Sequence, residues 1–216
     1  VQDAWRHYHA GDFAQAVDAG NAAGSAGVNA AIKAQVVYAT YLEKSDKGKL
    51  ALLEEAMDWA EGRRTKASKD PNAHYFFAFA AGRYGQGISV AKALSQGLGG
   101  KIRDALLMAI KLEPKHADAH IAYGSYQAEV IDKVGGLVAG MTYGAKKDSA
   151  LEHFQKALRL NPESAIARVE YANGLIMLFG KSRLGDAEKM YKEAAACKPA
   201  DAMERLDVEL ARSELA

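Results

Sequence analysis

The sequence predicts an all-α fold of antiparallel helix pairs, and three observations carry that expectation. First, alanine is abundant, prolines number only four, and β-branched alternation is nearly absent, which favours helix over strand throughout. Second, three segments share one spacing: IRDALLMAIKLEP (102–114), ALEHFQKALRLNP (150–162) and AEKMYKEAAACKP (187–199). In each, a small or aliphatic residue is followed four places on by a large apolar one, three further by Ala and five further by Pro. These are Ile102, Leu106, Ala109 and Pro114, then Ala150, Phe154, Ala157 and Pro162, then Ala187, Tyr191, Ala194 and Pro199. Third, Pro71, Pro114, Pro162 and Pro199 separate units, because proline cannot donate to the helix ladder and disfavours helical geometry in the residue before it.

Taken in order, the predicted pairs are 2–10 with 12–23, 28–43 with 46–66, 72–84 with 101–112, 117–132 with 146–159, and 163–178 with 184–197. A last helix, 200–214, carries Glu204, Asp207, Glu209, Arg212 and Glu214 and reads as a cap, since a terminal repeat needs an outer face that tolerates water. The expected organisation is one helical-repeat domain, 1–216, with units 1–27, 28–71, 72–114, 115–162 and 163–199 and a capping helix at 200–216. The segment 50–71 does not carry the shared spacing at the standard distance from Pro71. Two long inserts, GQGISVAKALSQGLGG (85–100) and VIDKVGGLVAGMTYGAKK (130–147), are expected to emerge as loops near each other at one edge of the array.

The spacing of small residue, large apolar residue, Ala and Pro resembles the second helix of a tetratricopeptide repeat (TPR), and HADAHIAYGSY (116–126) resembles its first helix, with Tyr123 and Gly124 at the Leu-Gly pair. GDFAQAV (11–17) is similar to the turn and second-helix start of the same motif, with Gly11, Phe13 and Ala16 in register. The likeness covers about three quarters of the chain, although each interval between consecutive prolines exceeds the TPR length of about 34 residues. It implies a TPR-like right-handed superhelical array. Two subfamilies with long inserts look similar. One is the T component of periplasmic TRAP transporters, whose Arg/Leu/Ala-rich C-terminal helix resembles ERLDVELARSELA (204–216); the other is the regulators of microtubule dynamics. The C-terminal stretch and the absence of an initiator Met tilt the expectation toward the T component.

By register from each proline, the resemblance implies groove-lining positions on the first helices. These are Tyr75, Ala78, Gly82 and Gly85 after Pro71, then Asp118, Ile121, Ser125, Ala128 and Glu129 after Pro114, and Ile166, Val169, Asn173, Ile176 and Met177 after Pro162. The expected groove is mostly apolar or small. Family members that capture acidic chaperone tails use a Lys, Arg and Asn cluster there, suited to carboxylates, and only Asn173 matches it. The expected partner is therefore a protein or peptide, as an apolar helix or extended segment, or alternatively an apolar small molecule. Apolar residues at helical spacing also serve simply to pack neighbouring helices, and the same reading applies to Gly82 and Gly85.

Composition narrows the function classes. Lys and Arg number 28 against 27 Asp and Glu, which gives no electrostatic case for nucleic acid or an anionic membrane. The apolar runs 76–82 and 174–180 are far shorter than the roughly 20 residues of a membrane-spanning helix, so the chain reads as soluble. Opening on Val1, it is expected to be an exported, periplasmic mature form, with a cytoplasmic form as the alternative. Cys197 is expected to pack as a small hydrophobe. GLIMLFGKS (174–182) has five residues between its glycines where a phosphate loop needs four, and it lacks a preceding strand; the Gly-rich 97–100 and 135–140 also lack one. His7 and His9 diverge on a helix, and His116 with His120 has no third ligand nearby. The expectation is a non-enzyme with no cofactor and no metal, acting as a scaffold or adaptor. The alternative is a TRAP-associated accessory subunit, with homo-oligomerisation as a further option.

Overall fold

The computed structural model describes residues 1–216 and is helical throughout, with no strand. It divides into two compact units, Val1–Glu113 with Asp201–Met203, and Pro114–Ala200 with Glu204–Ala216.

The first unit contains α1 (Gln2–Ala10), α2 (Phe13–Ala22), α3 (Val28–Tyr41), α4 (Asp46–Lys66), α5 (Pro71–Gly87), α6 (Val90–Ser95) and α7 (Leu98–Leu112). Gly11 ends α1 in the left-handed conformation at φ 91°, a geometry that costs glycine no Cβ clash. The chain can then reverse at once, and α2 packs back on α1. Helices α3 and α4 form the next pair, α5 and α7 the third. Pro71 does not end a helix as the later prolines do: α4 stops at Lys66, and Pro71 is the first residue of α5, with Asp70 capping it by accepting from the Asn72 amide. A first-turn proline removes a donor that would have had no partner anyway. This is why the spacing measured back from Pro71 fails. The buried stripe of α4 is Leu53, Ala56 and Ala60, a three-then-four rhythm, and α2 repeats it with Phe13, Ala16 and Gly20.

The second unit contains α8 (Ala117–Val134), α9 (Gly136–Val138), a π-turn (Ala139–Tyr143), α10 (Lys147–Leu160), α11 (Ala165–Phe179), α12 (Leu184–Ala195) and α13 (Ala202–Glu214). Here α8 pairs with α10 and α11 with α12, and α8 also lies against α11. First helices begin on side-chain caps: His116 Nδ1 accepts from the Ala119 amide and Ser164 Oγ from the Ala167 amide, satisfying donors that the helix itself leaves open. The four-then-three stripes Ile102/Leu106/Ala109, Ala150/Phe154/Ala157 and Ala187/Tyr191/Ala194 are all buried. Val208 and Ala211 of α13 join the core formed by Val169, Ala172, Leu175, Ala187 and Tyr191. The architecture is thus a TPR-like array of helix pairs ending in a capping helix. The insert 85–100 contributes α6 to the first unit, and the insert 130–147 contributes α9 and the π-turn to the second.

One contact sets the separation of α8 and α11. Phe154 of α10 is fully buried, with one ring edge against Gly124 and the other against Gly174. A Cβ at Gly124 would lie 3.0 Å from that ring, and one at Gly174 only 2.6 Å. Tyr171 stacks on the same ring at 5.1 Å.

Candidate partner-binding face

In the second unit the two neighbouring first helices present matching stripes. Along one face of α8, Asp118, Ala122, Ser125 and Glu129 retain solvent exposure; along one face of α11, Ile166, Glu170, Asn173 and Met177 do, with Ile176 beside them. Both stripes follow the same four-three-four spacing, so one face of each helix stays outward for about three turns. The positions three residues on from the first point inward instead: Ile121 packs with Ala157 and Ala167, and Val169 has no accessible surface. Residues three and four places along a helix differ by about 100° around its axis, and the core takes the former while solvent takes the latter. Ala128 is buried as well.

The first unit repeats this. Tyr75, Ala78 and Gly85 of α5 are buried, whereas Phe79, Gly82 and Gln86 keep exposure. Gly82 has open space where a Cβ would stand, while a Cβ at Gly85 would lie 3.2 Å from that of Ala93. The Arg83 guanidinium lies 6.0 Å from the Phe79 ring centre. The sequence reading had no place for Phe79, Gln86, Ala122 and Glu170; the signal that finds them is the four-residue step shared by three first helices.

Polar contacts fix the second unit's face. The Ser125 hydroxyl donates to Glu170 Oε2 at 2.9 Å, joining α8 to α11. Asn173 Oδ1 accepts from the Tyr191 hydroxyl, and burial pushes that phenol up to about 12, so it stays a donor at any ordinary pH. Asp118, Glu129 and Glu170 give this face three carboxylates beside the apolar Ile166, Ile176 and Met177.

At the back of α8, His120 is 1% exposed. Its Nε2 lies 3.0 Å from the Pro114 carbonyl and its Nδ1 2.7 Å from Nδ1 of His153. A carbonyl only accepts, so His120 Nε2–H donates to Pro114 and His120 Nδ1 accepts from His153 Nδ1–H. This arrangement makes His120 neutral, with one ring nitrogen donating and the other accepting. Burial, followed by the mutual repulsion of the pair and of Lys156, pulls His153 down to about 4, and burial lowers His120 as well. The ring nitrogens of His120 are thereby engaged within the fold, and His116 serves as a helix cap. Cys197 is half-buried, its thiol donating to the Glu193 carbonyl at 3.4 Å, and burial pushes its pKa up. No helix is long and apolar enough to cross a membrane.

Comparison with known proteins places this architecture. A crystal structure of a thermophilic TPR protein from Thermus thermophilus superposes with a TM-score of 0.65 at 16% sequence identity, covering 98% of this chain and 96% of that one; at this identity the likeness is one of fold. No curated protein sequence matches significantly. The family described as regulator of microtubule dynamics protein 1-3 matches residues 29–213. Of the two subfamily resemblances drawn from the sequence, the match falls on this one, and the TRAP T component gains nothing from it. With nearly the whole repeat array inside the matched range, the chain belongs to the regulator of microtubule dynamics protein 1-3 family.

Proposed function

We propose that this chain is a non-catalytic interaction scaffold whose first-helix face on α8 and α11 grips a peptide segment of a protein partner. The observation that carries the reading is the pair of matching exposed stripes, Asp118/Ala122/Ser125/Glu129 and Ile166/Glu170/Asn173/Met177. Stacked helical repeats present such a surface because neighbouring first helices lie side by side. Three carboxylates among apolar side chains favour a partner segment that is both basic and apolar, such as one face of an amphipathic helix. Small residues at 122 and 125 leave room for the partner's larger side chains.

The test is a selection of peptide binders from a random helical library, followed by titration against Glu129→Lys/Glu170→Lys and against Ala122→Trp. The expected result is enrichment of Lys- or Arg-containing amphipathic peptides, with affinity falling at least about tenfold in both variants, since like-charge juxtaposition and a filled groove each oppose binding. Binders that are indifferent to both variants would move the site off this face.

A further inference from the structure

The insert of the second unit ends in an apolar tip that the scaffold reading does not use. Within 133–147, the sequence KVGGLVAGMTYGAKK contains three lysines and no carboxylate. Its lysines stand at the two ends and its apolar residues in the middle. Leu137 is 78% exposed, Met141 81% and Val138 48%, more than core-forming residues of this size ordinarily show. The tip is held out by structure: Gly135 and Gly144 turn the chain at φ 78° and 69°. Ala139 and Ala145 are buried beneath it, and Gln127 Oε1 accepts from the Lys146 amide at its base.

The base is basic. The Lys147 ammonium lies 4.9 Å from the centre of the Phe179 ring and donates to the Leu178 carbonyl, and the Arg183 guanidinium lies 5.6 Å from the same ring. These bring the turn carrying Lys181 and Arg183 beside Lys146 and Lys147. Lys133 and Arg183 have acidic neighbours, Asp132 and Asp186, and Asp148 follows Lys147 in sequence, so Lys146, Lys147 and Lys181 set against Asp148 leave an excess of two positive charges at the base.

We infer that this tip inserts into the headgroup region of an anionic lipid bilayer, with Leu137, Val138 and Met141 entering the acyl boundary and Lys146, Lys147 and Lys181 resting on acidic headgroups. The three apolar side chains of the tip expose on the order of 400 Å², below the roughly 600–800 Å² that each partner of a stable protein interface buries. A fluid interface needs no complementary pocket, and an apolar patch ringed by cations is the arrangement that anionic interfaces hold. The mode is peripheral docking, distinct from a membrane span.

Flotation of the full chain with phosphatidylcholine vesicles containing about 30% phosphatidylserine tests it. The expected result is co-flotation that drops at least tenfold in Leu137→Ser/Met141→Ser, drops several-fold in Lys146→Ala/Lys147→Ala/Lys181→Ala, and is weak on phosphatidylcholine alone. Because Leu137 and Met141 are exposed, the first variant keeps its helical circular dichroism. Independently, a Met141→Trp variant is expected to shift its emission to the blue on vesicle addition and to be quenched by bromine-labelled acyl chains. Absence of flotation, flotation that the Leu137/Met141 variant retains, or an introduced indole that the brominated chains leave unquenched each overturns the inference. So does concentration-dependent self-association that the Leu137/Met141 variant abolishes without any vesicle binding, which would make the tip a contact between copies of the chain.

Discussion

Acidification should destabilise this protein in a way that traces to one imidazole pair. His120 is neutral in the fold because one ring nitrogen donates and the other accepts, and burial keeps His153 neutral beside it. In the unfolded chain each takes up a proton below about pH 6.5, whereas folded His153 waits until about 4. The unfolded state therefore binds more protons between these values, and stability falls as pH drops through that window, levelling off below it. At 1.36 kcal/mol per pH unit the full gap amounts to about 3.4 kcal/mol, of which about 2 would develop between about pH 7.5 and about pH 5. His153 is half-buried, so solvent screening reduces this last figure to about 1 kcal/mol. The assay is urea unfolding followed by circular dichroism at the two pH values, for wild type and His153→Asn. The Asn amide can still donate to His120 Nδ1 but does not titrate. Wild type should lose about 1 kcal/mol more than His153→Asn on acidification. Equal losses would show that His153 carries no linked proton and would refute its lowered titration in the fold.

The remaining expected outcomes concern packing, capping and the thiol. Phe154→Ala should cost about 3–5 kcal/mol in urea unfolding, because the buried ring leaves a cavity between α8 and α11. Gly174→Ala should cost about 1–3 kcal/mol, since the new Cβ would sit 2.6 Å from that ring; a neutral result would mean the ring shifts freely. Ser164→Ala should cost about 1 kcal/mol by leaving the Ala167 amide without its cap, and the same measurement checks it. Cys197 should react slowly with a thiol reagent near neutral pH and rapidly in urea, because burial pushes its pKa up and suppresses the thiolate in the fold; equal rates would contradict that environment.

The second helices were legible in the sequence because their core positions combine a fixed rhythm with residue types that suit close packing. Leu106, Phe154 and Tyr191 each sit four places after and three before a small or aliphatic residue, and all are buried. Helices α2 and α4 use a three-then-four rhythm instead, so the four-then-three spacing does not mark them. Pro71 misleads for a related reason, as a proline that opens a helix and one that follows a helix look alike in sequence. The first-helix face was legible only to within one residue. Ile121 and Ala122, or Val169 and Glu170, are neighbours in sequence about 100° apart on the helix, and which of them meets solvent depends on how α8 and α11 rotate against α10. The bonds between Ser125 and Glu170 and between His120 and His153 join residues 45 and 33 positions apart, distances at which residue spacing carries no signal. The insert tip was visible as a Gly-rich stretch, but its projection depends on the buried Ala139 and Ala145 beneath it.

The ring of Phe154 works as a shim. It enters from behind the face, between two positions that have no side chain of their own, so the distance between the exposed stripes of α8 and α11 is set by a residue that no ligand on that face would touch. The width of the face and the chemistry of its lining can consequently vary independently. Exchanging Phe154 for a thinner side chain, or Gly124 for alanine, retunes the span across which Ser125 and Glu170 meet while leaving every lining residue as it is. On the proposed reading of this face, fit to partners of different girth would be adjustable at positions 124, 154 and 174, which comparisons of the lining alone would score as unchanged.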